Sequence, residues 1–345
     1  MGKLEVGLPT YIIGCYNLIL LAGCAAAGLS FIELFNESLV KIAMNGILVL
    51  SLLPMINCGI GMNFGMPVGL SAGLIGLCLA FQFKLQGWAG WWAALGFSAV
   101  VAVLFGYGYG RLLNLLKGRE EIAGVFTGFA FVPLMNIFWT VAPFTNRQML
   151  YPVGGVGLRP KISLNNYFNQ ILDSSLVVYA GPWMFPIGLL LFYGALALLL
   201  VLLGRTLLGR SMAALAANPG FARLSGINEA KTRIRAVILS TVLAAVGMCV
   251  YTQSYGFIQL YDGATIMTFP AISALLIGGA ALRHARVSHA VIGTALYQLA
   301  YLMSVPVANA LLIPELAELL RMIITNSVIL FAILYENRGW RHERA

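Results

Sequence analysis

The sequence predicts an all-α polytopic membrane protein with about ten transmembrane helices, and three observations carry that class. Hydrophobic residues make up 60% of the 345 positions, and charged residues only 10%, against roughly 25% in a soluble domain. A bilayer span uses about 20 apolar residues, so the inventory suffices for roughly ten spans. The apolar runs are also bounded by charged or turn-forming clusters. A soluble enzyme, a disordered regulator and a disulfide-rich secreted domain are excluded. All five cysteines, Cys15, Cys24, Cys58, Cys78 and Cys249, lie inside apolar runs, a placement that favours packing over disulfides or metal ligation.

Taken in order, the expected spans are residues 11–32, 42–61, 67–83, 88–109, 122–142, 182–203, 236–255, 266–282, 287–307 and 314–335. They form one transmembrane domain covering residues 1–345. The fourth ends at the charged cluster from Lys117 to Glu121. After the fifth comes the longest polar stretch, 143–181, and after the sixth a basic loop, 204–235. Leu21-Ala22-Gly23-Cys24 resembles a lipoprotein cleavage box, but Ala25 to Leu29 prolong the apolar run, which favours a first membrane helix. With the N-terminus in the cytoplasm, ten crossings put fifteen Lys and Arg inside and six outside. That matches the positive-inside rule, so the net charge of +9 is read as cytoplasmic loop chemistry rather than as a nucleic-acid surface.

Spans two and three are unusual. Pro54, Asn57, Gly59, Gly61, Asn63, Gly65, Pro67 and Gly69 crowd their join, and freed backbone groups at membrane depth must be buried in protein or face water. Asp262-Gly263 and Pro270 mark a second interruption at the eighth span. Pro67 to Gly76 weakly echoes Pro270 to Gly278, in segments expected to cross in opposite directions. An inverted repeat, spans two to five against seven to ten, accounts for this. Chance similarity of small-residue runs is the alternative.

The chain has no G-x-x-x-x-G-K-[ST] loop. His284, His289 and His342 are too scattered for a metal site, and the middles of the spans carry almost no Asp or Glu. An ion-coupled carrier needs at least one such group, so any driving force is expected from another chain. Neutral polar residues at depth, Asn57, Asn63, Thr127, Asn136, Gln253, Thr268 and Ser273 with the ring of Phe64, suit a passage for a neutral, hydroxyl- or amide-rich solute. Each also has a plain helix-bonding role open to it.

The sharpest motif lies in the basic loop. Asn218-Pro219-Gly220 is a turn signal, and Phe221 to Ser225 reads as a short helix stopped by Gly226. The run Ala217-Asn218-Pro219-Gly220-Phe221-Ala222-Arg223-Leu224-Ser225-Gly226-Ile227-Asn228 resembles the coupling loop of bacterial ABC importer permeases for branched-chain amino acids, ribose-type sugars and nucleosides. That family's pattern is close to G-x-N-x-x-A-A-R-L-S-G-I. Gly61 to Gly69 occupies the place of the sugar permeases' G-I-D-L-S-V-G, with Asn63 standing where they have Asp. Phe64 and Pro67 also depart, which weakens the case for a simple sugar over a nucleoside or amino acid. Leu276-Ile277-Gly278-Gly279 and Gly293-Thr294 are similar to the family's late glycine stretch.

The resemblance implies a permease homodimer or heterodimer in the bacterial inner membrane, with both termini cytoplasmic. Cytoplasmic ATPase subunits would bind the ATP and magnesium, this chain itself holding no cofactor, and an external solute-binding protein would dock above. It places Ala217, Asn218, Pro219, Ala222, Arg223, Leu224, Ser225, Gly226 and Ile227 against the ATPase, with Arg223 as the charged contact and Leu224 and Ile227 as apolar anchors. The outer segment, with Arg147, Arg159 and Tyr167, would meet the binding protein. Within it, Ser163 to Ser175 has the pattern of a surface-lying amphipathic helix. An ATP-independent channel or carrier is the alternative function; a membrane-embedded enzyme would lack any catalytic constellation.

Overall fold

In the computed structural model residues 8–151, 157–281, 284–311 and 319 are described. Apart from Leu319, the expected tenth span lies outside them. The helices are α1 (Leu8–Ala26), α2 (Phe31–Leu50), α3 (Leu53–Ile56), α4 (Met66–Gln82), α5 (Gly87–Leu115), α6 (Glu120–Val141), α7 (Ile171–Ser175), α8 (Ile187–Arg205), α9 (Leu207–Ala217), α10 (Pro219–Leu224), α11 (Glu229–Tyr255), α12 (Gly263–Ile266), α13 (Thr268–Ile277) and α14 (Val287–Leu311). Two small antiparallel pairs complete the fold: β1 (Lys161–Ser163) with β4 (Phe257–Gln259), and β2 (Val177–Ala180) with β3 (Trp183–Pro186). Seven helical segments among the described residues are long and apolar enough to cross a membrane. The protein is an all-α polytopic membrane protein.

Close packing of α4, α5 and α11 makes the centre, and small residues make it possible. Gly69 and Gly73, one turn apart on α4, lie against α11; a Cβ at either would stand 2.7 Å from a backbone oxygen, of Thr241 or Ala245. Gly76 meets α5 so closely that a Cβ there would collide with Ser98. Lipid is as apolar as leucine, so van der Waals contact at short range, rather than burial from water, drives this association. Cys78 and Cys249 are buried in the same core, and Cys249 Sγ is 3.1 Å from Ser98 Oγ.

Several boundaries differ from the sequence reading. The second helix begins at Phe31 rather than 42, because Ser30 caps it by accepting from the Glu33 N–H and Lys41 pairs with Glu37 one turn earlier. The region expected as the eighth span is two short helices, α12 and α13. Ser163–Ser175 is not one amphipathic helix. Only Ile171–Ser175 is helical, since the Leu164 and Gln170 N–H groups donate to Gly256 O and Gln253 O at the end of α11 instead of to the preceding turn. Its apolar side chains Leu164, Tyr167, Phe168 and Leu172 are buried.

The 27 residues of α11 extend about 40 Å and define two ends. Beside its first residue, Glu229, lies α10; after its last, Tyr255, the chain enters β4. These are called the α10 end and the β1–β4 end below.

Candidate functional site

Two chain interruptions flank a cleft of about 250 Å³. Its walls come from the α3–α4 join (Phe64, Pro67), from α6 (Val125 to Asn136) and from the segment Tyr261 to Phe269. Tyr261 and Asp262 come just after β4 and bring one side of the cleft close to the β1–β4 end. The α6 residues lining it, Val125 to Asn136, cover roughly 16 Å of helix, which carries the cleft to Phe64 near the middle of the bundle. Phe64, Phe129 and Phe269 give it an aromatic face, while Asn136, Asp262, Thr265 and Thr268 supply polar atoms.

Of the pathway residues expected from sequence, the cleft brings together Phe64, Asn136 and Thr268. Asn136 Oδ1 is buried without a hydrogen-bond partner, whereas the Thr268 hydroxyl donates to Ala264 O. The other five lie elsewhere. Asn57 Oδ1 accepts from the Ala285 N–H on the wall of a second cleft, near α9. Thr127 and Ser273 donate to carbonyls one turn back, Ala123 O and Phe269 O. Asn63 is buried, and its Nδ2 donates to Ser240 Oγ at 2.9 Å. Ser240 donates on to Ser51 O, and the Tyr109 hydroxyl donates to Asn63 Oδ1. This chain of bonds stitches the non-helical join to α5 and α11, so Asn63 is a fastener.

Gln253 is a fastener too. Its Nε2 donates to Asp173 Oδ1 and its Oε1 accepts from the Leu172 N–H, while Ser254 also donates to Asp173. Burial pushes the Asp173 carboxyl above its ordinary range, against the lowering effect of those two donors. Sequence reasoning missed Asp262, Tyr261 and Thr265. The Asp262-Gly263 pair had signalled a break, but nothing in the local pattern shows that this break turns toward α6.

At the α10 end the motif forms a defined unit. Asn218 caps α10 by accepting from the Phe221 N–H at 3.0 Å, Pro219 occupies the first turn, and Gly226 stops the helix with φ +81°. Ala222 is buried and Ile227 packs against the small cluster around Met212 and Leu215. Ala217 and Ser225 are exposed, while Leu224 is 90% and Phe221 65% exposed. Arg223 lies 3.7 Å from Glu229, which also pairs with Lys117. Arg233 pairs with Glu120 at the start of α6 and donates through Nε to Asn114.

Of the outer residues expected to meet a partner, Arg147 is exposed. Arg159 is half-buried and donates from Nε to Leu150 O. Tyr167 does not face outward: it is 9% exposed, stacks on Phe81 with ring centres 3.9 Å apart and accepts from Asn146 Nδ2. It clamps the outer segment to the end of α4.

Comparison with known proteins returns one family. The model described as branched-chain amino acid transport system / permease component matches residues 34–334. No curated protein and no solved structure matches the chain. The match takes in the stitched join, the cleft and the α10 unit together, and on it the chain belongs to the family of branched-chain amino acid transport system permease components.

Proposed function

We propose that this chain is the transmembrane subunit of an ATP-driven importer, carrying a small polar solute such as an amino acid, sugar or nucleoside. The observation that carries the reading is α10. A six-residue helix is capped, stopped and ion-paired to its neighbours, yet leaves Leu224 and Phe221 exposed. Exposed apolar side chains on a fixed knuckle at a basic helix-bundle end suit a docking contact for a cytoplasmic ATPase subunit. That end faces the cytoplasm in this reading, and the cleft mouth faces outward, toward a solute-binding protein delivered to the surface carrying Arg147. Two such permeases, identical or not, would complete the pathway in the bacterial inner membrane.

Coupling follows the ion pairs. Displacement of α10 reaches the start of α11 through Arg223–Glu229 and the α5–α6 corner through Glu229–Lys117. Arg233–Glu120 fixes α11 to α6, whose middle turns wall the cleft. The ATPase would supply the ATP and magnesium chemistry.

Changing Leu224 and Phe221 together to Asp should release the ATPase subunit during purification and abolish ATP-dependent uptake, with the permease still inserted at normal levels. An ATPase that stays bound while uptake continues would remove α10 as the docking contact. Uptake unaffected by ATP depletion would favour a facilitative carrier instead.

A further inference from the structure

The second cleft, at the α10 end, is the larger of the two at about 550 Å³, within the range of small-molecule sites. Its walls come from α3, the last turns of α8, α9 and residues 284–287. The helices that end there set its depth. With 19 residues α8 is about 28 Å long, enough to cross the hydrocarbon core, so its last residue, Arg205, stands at the membrane surface. The α14 span begins at Val287, immediately after Arg286. The cleft therefore straddles the boundary between acyl chains and headgroups, and its two sides match that division. Leu200, Val201 and Leu203 of α8 make one side apolar. Val201 and, one turn back, Leu198 are exposed, so this side continues onto the lipid-facing flank of α8. The other side is polar and basic. His284 and Arg286 are both exposed there, and no Asp or Glu is among the described residues that line the cleft. Arg286 donates from Nε to His284 Nε2, which leaves the His284 Nδ1–H and the terminal guanidinium nitrogens as donors. Among the described residues Arg286 has no carboxylate partner. Asn57 Oδ1 accepts from the Ala285 N–H, while its Nδ2 meets no acceptor among the described residues. Donors grouped around a positive charge suit a phosphate.

We infer that this cleft binds an anionic phospholipid, with the phosphate on Arg286, His284 and Asn57 and one acyl chain against Leu200, Val201 and Leu203. Basic pockets between membrane helices hold such headgroups. A free phosphorylated metabolite shares the headgroup chemistry but leaves the apolar side bare, and the opening onto the flank of α8 favours the lipid. The inference needs α8 and α14 to cross the membrane and does not depend on the importer reading. A lipid in place also braces α9, which forms one wall and leads directly into α10.

The test uses the full-length chain in a neutral detergent, with a phosphatidylglycerol that carries a photoreactive diazirine on one acyl chain. Illumination should attach it to the ends of α8 and α9 that wall the cleft, as identified by peptide mass spectrometry. A phosphatidylcholine with the same chains should label them several-fold less. Arg286→Gln should raise the lipid concentration needed for half-maximal labelling about tenfold, the equivalent of losing one charge-assisted hydrogen bond, and Arg286→Lys should restore most of it. Val201→Trp, which fills the apolar side from an exposed position, should block labelling without lowering the unfolding temperature of the lipid-free chain. Glycerol 3-phosphate should not compete. Competition by it at the lipid's own concentrations would make this a site for a soluble phosphate and overturn the lipid assignment. Equal labelling by the choline lipid, labelling confined to other helices, or no effect of Arg286→Gln overturns the inference and leaves the importer reading standing.

Discussion

The two interruptions in the helical bundle handle the same physical problem in opposite ways. At the α3–α4 join the freed backbone is sealed: Ser51, Asn63, Tyr109 and Ser240 form a continuous set of hydrogen bonds, and all four residues are buried. At the α12–α13 break the chain is left open toward α6, with Asp262 and Thr265 exposed on the cleft wall. Irregular backbone at membrane depth is tolerated where protein buries it or where it lines a cavity. This molecule uses one solution on each side of the same cleft. The sealed join fixes the position of Phe64 and Pro67, and the open break faces them with exposed polar groups.

The largest effect is expected at the sealed side. Asn63→Leu removes the acceptor of the Tyr109 hydroxyl and one partner of Ser240, leaving buried polar atoms unmatched. The cost should be about 1–2 kcal/mol of stability in detergent, given what interhelical hydrogen bonds contribute in membrane proteins. Adding Tyr109→Phe should recover part of it, because removing both partners is cheaper than removing one. Thermal unfolding of the purified chain measures both steps. A neutral single variant would show that the join is held by packing alone.

The same contrast recurs between two carboxylates near the β1–β4 end, with a smaller effect that depends on pH. Asp262 is exposed at the cleft, whereas Asp173 is 6% exposed where α7 meets the end of α11. Burial raises the Asp173 carboxyl above its ordinary value, so the folded chain keeps a proton there over a pH range in which the unfolded chain has lost it. Stability from this group therefore falls as pH rises from the usual aspartate value, about 3.9, through the raised one. Asp173→Asn keeps an oxygen for Gln253 and Ser254 and removes the charge. The variant should gain on the parent as pH increases through that window, as read by unfolding temperature at a series of pH values. Parallel curves for the two proteins would show that Asp173 titrates alike in both states.

What the sequence revealed and what it withheld divide along the same line. Membrane class followed from composition, and the short helix after Asn218 from a turn signal and a glycine stop, because capping and chain termination are local. Both interruptions were visible, one as Pro, Gly and Asn at membrane depth, the other as Asp262-Gly263 and Pro270. Which of them is sealed was not, since that depends on Ser240 and Tyr109 arriving from other helices. Gln253 and Tyr167 were misplaced for the same reason: a polar or aromatic side chain in an apolar run looks alike whether it meets a solute or a neighbouring backbone. The expected helix over 163–175 failed because its periodicity recorded burial against the ends of α4 and α11 rather than a face lying on the membrane.

The smallest change is expected where the open break is probed by itself. The Thr268 hydroxyl donates to Ala264 O one turn earlier, a bond that competes with the helix's own ladder and adds little to it. Thr268→Val keeps the side-chain shape and removes that hydroxyl. Stability should stay within about 0.5 kcal/mol of the parent, in contrast to Asn63→Leu, although both residues are buried polar groups beside a helix interruption. If Thr268→Val instead destabilises as much as Asn63→Leu, the α12–α13 break is also a stitched joint. Its exposed oxygens would then be structural, and the cleft would lose the side that is free to receive a solute.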